Sequence, residues 1–98
     1  MPESPIFRPI ESKFLFFYAP TWVNPGILLG HRGRIDEAVS CYRKALSIRP
    51  DFAEAHYLLG SVYARQGNRA EALQHYQALQ GLKPSLAEAL LREIEAVP

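Results

Sequence analysis

Three histidines, one cysteine and a group of glutamates are the residues of this sequence that could bind a metal ion or perform acid–base or nucleophilic chemistry. The intervals between His31, His56 and His75 match no metal-ligand motif. We expect His31 and His75 to lie on the surface. The sequence predicts no metal and no other cofactor.

The remaining reactive groups do not form a catalytic pattern either. Carboxylates that could pair as acid and base occur at Glu71, Glu88, Glu93 and Glu95. Helix caps and solvated helix faces explain them more simply, and the sequence contains no nucleophile motif or glycine-rich phosphate loop. We expect Cys41 to be an inert or partly exposed thiol. The sequence therefore predicts a protein that is not an enzyme.

Composition narrows the class of protein further. The 98 residues carry a formal net charge of +1, so they provide no basic field that would attract nucleic acid. A single cysteine excludes an internal disulfide and is compatible with a reducing compartment. The apolar stretch from Phe14 to Val23 is interrupted by Pro20 and is shorter than the roughly 20 residues of a membrane span. It also lacks the features of a signal peptide, so we expect a cytoplasmic protein.

The elements that position these residues are revealed by an internal repeat. When the sequence is aligned with itself so that Gly26 falls on Gly60, identical residues also coincide at the pairs Gly33 and Gly67, Tyr42 and Tyr76, and Pro50 and Pro84. Such a period, between about 20 and 50 residues, is typical of stacked-repeat proteins. It is the strongest structural signal in the sequence.

Each repeat has the pattern of two amphipathic helices. In the second repeat one apolar face is formed by Ala55, Leu59, Val62 and Tyr63, and another by Ala72, Leu73, Tyr76 and Leu79. Gly33 and Gly67 suit the left-handed residue that ends a first helix, and Asn68 can cap the helix that follows. The repeat therefore predicts a helical hairpin.

Further residues predict where the other helices begin and end. Asp51 with Glu54, and Ser85 with Glu88, have the spacing of a capping box. Pro50 and Pro84 are expected to stop the second helix of each pair, because proline cannot continue the hydrogen-bond ladder.

These residues resemble the tetratricopeptide repeat (TPR) over roughly residues 19–84. In the second repeat the family's packing roles fall to His56, Leu59, Gly60, Tyr63, Ala72, Tyr76, Leu79 and Pro84. In the first repeat they fall to Trp22, Pro25, Gly26, Leu29, Ala38, Tyr42, Ala45 and Pro50. The resemblance implies an all-α fold in which antiparallel helix pairs stack as a short right-handed solenoid. Gly60 and Ala72 would lie where helices cross, so that the backbones can approach closely.

The first repeat departs from the family at Pro25, where a leucine is usual. A proline inside a helix costs about 3 kcal/mol, so we expect Asn24 to be the N-cap and Pro25 the first helical residue. The predicted division of the chain is an N-terminal extension at 1–24, a first repeat with a shortened first helix at 25–52, a second repeat at 53–84, and a C-terminal capping helix at 85–98. The extension is expected to be irregular except for a short helix or strand around residues 14–18.

The resemblance also implies a binding surface. First helices of TPR units line a concave face that usually receives a peptide or another protein. The residues expected to project there are Glu54, Tyr57, Ser61, Ala64, Arg65, Leu91 and Glu95. A branch of the family clamps C-terminal carboxylates with a lysine and an asparagine, but the matching positions here are Val23 and Ile27.

Three functions are consistent with the sequence. The first is a non-catalytic protein-interaction module, either independent or part of a longer array. The second is the regulatory portion of a larger enzyme, such as a TPR-containing glycosyltransferase. The third is a membrane or assembly anchor that uses the aromatic run Phe14 to Tyr18.

The oligomeric state depends on what covers Ile27, Leu28 and Leu29. An apolar face of this kind usually marks an interface. Either the chain's own aromatic segment folds back over it, which we favour because the segment is tethered, or a second molecule covers it and the protein is a homodimer. Deletion of residues 1–23 is expected to cause aggregation or unfolding if the segment folds back.

Overall fold

The computed structural model describes residues 19–96, and this part of the chain is all-α, as the repeat predicts. Its helices are α1 (Ala19–His31), α2 (Ile35–Ile48), α3 (Ala53–Arg65), α4 (Arg69–Leu82) and α5 (Pro84–Ala96). Within these described residues there is no strand, and no helix is long and apolar enough to cross a lipid bilayer.

The helices pack as consecutive pairs. α1 packs against α2, α3 packs against α4, and α2 joins the two pairs by contacting α3. α5 lies against both helices of the second pair. The main core consists of Ala38, Tyr42, Leu59, Tyr63, Ala64, Ala72, Leu79, Ala87, Leu90 and Ile94. Because each helix is amphipathic, stacking is what removes its apolar face from water.

The turn inside each pair is fixed by a glycine, as predicted. Gly33 and Gly67 have φ angles of 79° and 78°, which an L side chain rarely adopts. The N–H of Asn68 donates to the carbonyl of Tyr63 at 2.8 Å, which closes the end of α3. Asn68 is the N-cap of α4, but it acts through its backbone carbonyl, which accepts the N–H of Ala72, and not through its side chain.

The start of α1 differs from the prediction. The helix begins at Ala19, and Pro25 lies inside it, so neither a cap at Asn24 nor a shortened helix exists. Val23 is 5% exposed and packs, together with the half-buried Trp22, against α2 and the beginning of α3. Burial of such side chains stabilises by roughly 1.5–3 kcal/mol each, which offsets the cost of an internal proline.

The predicted capping boxes are also wrong. Asp51 pairs with Arg49 at 3.4 Å, and the N-cap of α3 is Phe52, whose ring is buried and makes no side-chain cap. Pro84 is the first residue of α5, and Ser85 lies exposed in its first turn. Proline is favoured at that position because it lacks an N–H that would need a partner.

The expectations for the extension fall mostly outside the described residues, which begin at residue 19. Ile27 and Leu28 are 37% and 53% exposed, and what covers them in solution stays a prediction. Because Trp22 and Val23 belong to α1 and its core contacts, deletion of residues 1–23 would damage the first pair directly. An informative truncation therefore removes residues 1–18 only.

At Gly60, atoms of two neighbouring helices occupy the space that a side chain would fill. A Cβ atom there would lie 2.5 Å from Leu90 Cδ2 in α5 and 3.3 Å from the Cβ of His75 in α4. At Gly26, the equivalent position of the first repeat, a Cβ atom would lie 2.6 Å from Cε1 of Tyr42. The missing side chains therefore admit neighbouring helices, and this packing offsets the low helix propensity of glycine.

We expect Gly60→Leu to destabilise the protein by about 2 to 3 kcal/mol, because the side chain would overpack this crossing. The matched control is Gly81→Ala in α4, where a Cβ atom would meet nothing within 4 Å. That substitution should stabilise by about 0.4–1 kcal/mol. Urea denaturation measures both, and equal effects would contradict the proposed crossing.

Candidate functional site

Of the three histidines, only His75 differs from its predicted placement. His31 is exposed, but His75 is half-buried and lies against His56, with 3.0 Å between their Nδ1 atoms. Nε2 of His56 lies 2.8 Å from the carbonyl oxygen of Pro50. A carbonyl only accepts, so Nε2 of His56 donates to it, and when both rings are neutral Nδ1 of His56 accepts the N–H of His75.

His75 is held neutral by its surroundings. Its pKa is lowered to about 4, first by burial, then by His56 and by the positive charge of Arg43. The imidazole stacks on the ring of Tyr63, whose hydroxyl accepts a hydrogen bond from Arg43. These contacts connect α2, α3 and α4, so the natural role of the histidine pair is to join helices.

The described part of the chain shows the surroundings of the possible metal ligands and of Cys41. No three His, Cys, Asp or Glu side chains are placed there to hold one metal ion. Burial raises the pKa of the half-buried Cys41 thiol, and Glu37 raises it further. The sulfur is therefore protonated at neutral pH, and a thiol is a poor nucleophile.

Three of the predicted partner-binding residues meet at one carboxylate. Tyr57 and Ser61 donate their hydroxyl hydrogens to the two oxygens of Glu93, and the Ser61 bond is 2.6 Å long. Nη2 of Arg65 lies 3.8 Å from the same carboxylate. Spacing of four residues places the three side chains in a row along α3. Together with Glu93 they form a polar cluster that is shared by α3 and α5.

Glu93 was expected to lie in a helix cap or on a solvated helix face, although the sequence contains a signal for a different role. The offset that places Gly26 on Gly60 also aligns Leu59 with Glu93, and Leu59 is 1% exposed. A carboxylate at a position where the repeat predicts a buried residue needs hydrogen-bond partners. Hydroxyls on the preceding first helix are the nearest available donors.

The interaction with Glu93 changes the chemistry of Tyr57. The pKa of the Tyr57 phenol is raised mainly by its hydrogen bond to Glu93, with contributions from burial and from the negative charge of Glu93, while Arg65 opposes the shift. Tyr57 therefore acts as a neutral hydrogen-bond donor, and its ring lines the surface beside α1.

The other predicted site residues do not join this cluster. Ala64 does not project into a groove: it is 3% exposed and packs in the main core, because the helix turns it towards its neighbours. Glu54 lines a separate cavity of about 370 Å³ at the other end of α3. Leu91 is half-buried and Glu95 is exposed on α5.

A cavity of about 220 Å³ lies between the first helices of the two pairs. Its lining consists of Ile27, Gly30, His31, Ile35, Tyr42, Tyr57, Leu58, Ser61, Val62 and Arg65. Ile27 and His31 precede Ser61 and Arg65 by one repeat each, so equivalent positions of both repeats face one space. The lining combines apolar side chains with the guanidinium of Arg65.

Comparison with known families agrees with this architecture. The family described as "TPR repeat" matches residues 31–67, and "Tetratricopeptide repeat" matches residues 53–86. The two matches together extend over more than half of the chain. The chain belongs to the tetratricopeptide repeat family. TPR repeats form protein-interaction modules, and the matched region extends from the end of α1 to the beginning of α5.

A relative of this TPR chain is the BBSome complex member bbs-4 of Caenorhabditis elegans. It is 27% identical over an aligned stretch of 92 residues, and the match covers 87% of this chain and 20% of the relative. The chain thus spans about a fifth of the length of that protein.

We expect the stability of the protein to decrease as pH falls from about 6.5 to about 4. The unfolded chain protonates His75 near its ordinary pKa of 6.5, whereas the folded chain does so only at about 4. Proton uptake therefore favours the unfolded state throughout this interval. Urea midpoints measured across it should fall less steeply for His75→Gln, whereas the exposed His31→Gln should follow the wild type; parallel curves for all three proteins would contradict the assignment.

Replacement of Glu93 by alanine should destabilise the protein by about 1 to 3 kcal/mol, because two hydroxyls lose a charged acceptor. The pKa of Tyr57 should also fall towards its ordinary value, which titration of tyrosinate absorbance measures. Glu95→Ala is the control, since surface substitutions usually change stability by less than about 0.5 kcal/mol. An unchanged tyrosine titration in Glu93→Ala would refute the cluster.

Proposed function

We propose that this protein is a non-catalytic interaction module that binds a peptide or protein segment on the concave surface formed by α1, α3 and α5. The observation that carries the proposal is the cavity of about 220 Å³ between α1 and α3, which is lined by equivalent residues of both repeats. Apolar walls supply binding energy, and the polar residues at the edge supply orientation.

The composition of this surface supports recognition of a protein. Tyr57 and Arg65 lie beside the cavity, and tyrosine and arginine are enriched among the residues that dominate protein interfaces. Ile27 adds an apolar side chain that is 37% exposed at the same place. Together they provide an anchor of the kind that a short segment can use.

A scaffold role is favoured over catalysis. The most nucleophilic side chain type in the chain, the Cys41 thiol, has a raised pKa, and His56 and His75 are engaged with each other. The similar protein bbs-4 is named as a BBSome complex member, which fits a part in an assembly. We place this module in the cytoplasm, where a free cysteine is compatible with the redox conditions.

The test is affinity capture from native lysate with quantitative mass spectrometry, using the wild type and two variants. Ile27→Glu introduces a charge into the cavity. Leu82→Glu introduces the same charge at a site of similar exposure, since Leu82 is 41% exposed on α4, away from the cavity. We expect partners captured by the wild type to be lost at least tenfold with Ile27→Glu and to be retained with Leu82→Glu.

Circular dichroism and melting curves serve as the folding control for both variants. Both positions are partly exposed, so the helical content should be unchanged. Capture of the same partners by all three proteins would show that the concave surface is not used, and the proposal would then be wrong.

A further inference from the structure

The lining of the cavity between α1 and α3 contains one arginine, Arg65, and no aspartate or glutamate. Arg65 lies in the last turn of α3, where the exposed carbonyls favour positive charge. The carboxylate of Glu93 on α5 lies 3.8 Å from Nη2 of Arg65. A ligand that enters the cavity therefore meets the guanidinium of Arg65 at one edge.

Most of the hydrogen-bonding capacity of Arg65 is uncommitted. Its side chain is 77% exposed, and its contact with Glu93 is long, at 3.8 Å. The oxygens of Glu93 already accept hydrogen bonds from Tyr57 and Ser61. A guanidinium has five N–H donors and prefers to bind a carboxylate through two of them. An incoming carboxylate can thus bind Arg65 without breaking the cluster.

The volume of the cavity limits what can occupy its apolar part. Sites for small molecules measure roughly 300–1,000 Å³, whereas this cavity measures about 220 Å³. It is suited to one apolar side chain. The walls that such a side chain would contact are Ile27, Ile35, Leu58 and Val62.

From these observations we infer that the groove recognises a peptide segment in which an apolar side chain is followed or preceded closely by an aspartate or glutamate. The apolar side chain enters the cavity between α1 and α3, and the carboxylate binds Arg65. A single guanidinium can bind one carboxylate through two parallel N–H groups, so one exposed arginine at this edge is sufficient for such a contact. This inference rests on the proposed function and specifies the chemistry of its partner.

Selection from a phage-displayed random peptide library tests the inference directly. On the wild type we expect enrichment of peptides that carry Asp or Glu within two residues of Leu, Ile, Val, Met or Phe. On Arg65→Glu the preference should change to Lys or Arg at the same spacing. Arg69→Glu is the matched control: Arg69 is exposed at the start of α4, outside the cavity, and the wild-type preference should persist.

A second measurement separates binding from folding. The affinity of a selected acidic peptide should fall roughly tenfold for Arg65→Gln, which removes one charged contact without introducing repulsion towards Glu93. It should also fall as salt is raised. Arg69→Gln should leave the affinity unchanged.

The possible results distinguish the two claims. Peptides that lose binding with Ile27→Glu but show no acidic preference, or bind Arg65→Gln as well as the wild type, would overturn this inference and leave the proposed function intact. Absence of any enriched peptide, or enrichment that is indifferent to Ile27→Glu, would overturn both.

Discussion

The structure depends on the absence of a side chain at Gly60. Through this gap α5 places Leu90 against α3, and α4 places the Cβ of His75 there from the other side. Glu93 lies three residues after Leu90, on the same face of α5, and this register brings its carboxylate to the hydroxyls of α3. The position of His75 brings its ring to His56. One close approach therefore sets both polar clusters, and any displacement of α5 or α4 would separate their members.

The repeat period and the turn glycines predicted the fold because they express constraints that act locally and recur along the chain. Positive φ at Gly33 and Gly67 is required by the chain itself, whatever surrounds it. The start of α1 was not predictable in the same way. Local rules place a helix start at Pro25, but the helix extends to Ala19 because Val23 is buried against α2 and α3. The free energy gained by this packing outweighed the cost of a proline inside the helix. An argument from one helix alone does not include that gain.

The candidate site also combines residues whose placement follows from local spacing with residues whose placement depends on helix packing. Tyr57, Ser61 and Arg65 lie in one row along α3, as their spacing of four residues predicts, and their role in binding a partner stays a prediction. Ala64 was assigned to that row wrongly, since a residue one position from the row can face the core. The structural role of Glu93 could not be predicted from its helix alone, because its hydrogen-bond donors are two hydroxyls on a different helix. A hydrogen-bond cluster between helices is a property of register in three dimensions.

The repeat period also relates the residues that would face the proposed concave surface. Positions related by the period are Val23, Tyr57 and Leu91 in one row, and Ile27, Ser61 and Glu95 in the next. In the second row the side chain changes from apolar on α1 to hydroxyl on α3 to carboxylate on α5. Glu93 provides a further carboxylate on α5, and its oxygens accept hydrogen bonds from two hydroxyls on α3. The apolar end of the row, at Ile27, therefore lies in the same cavity lining as Arg65, whereas the carboxylate of Glu93 is bonded to hydroxyls of α3. The two ends of the surface can thus differ in chemistry, because the repeat fixes the backbone positions but not the side chains that occupy them.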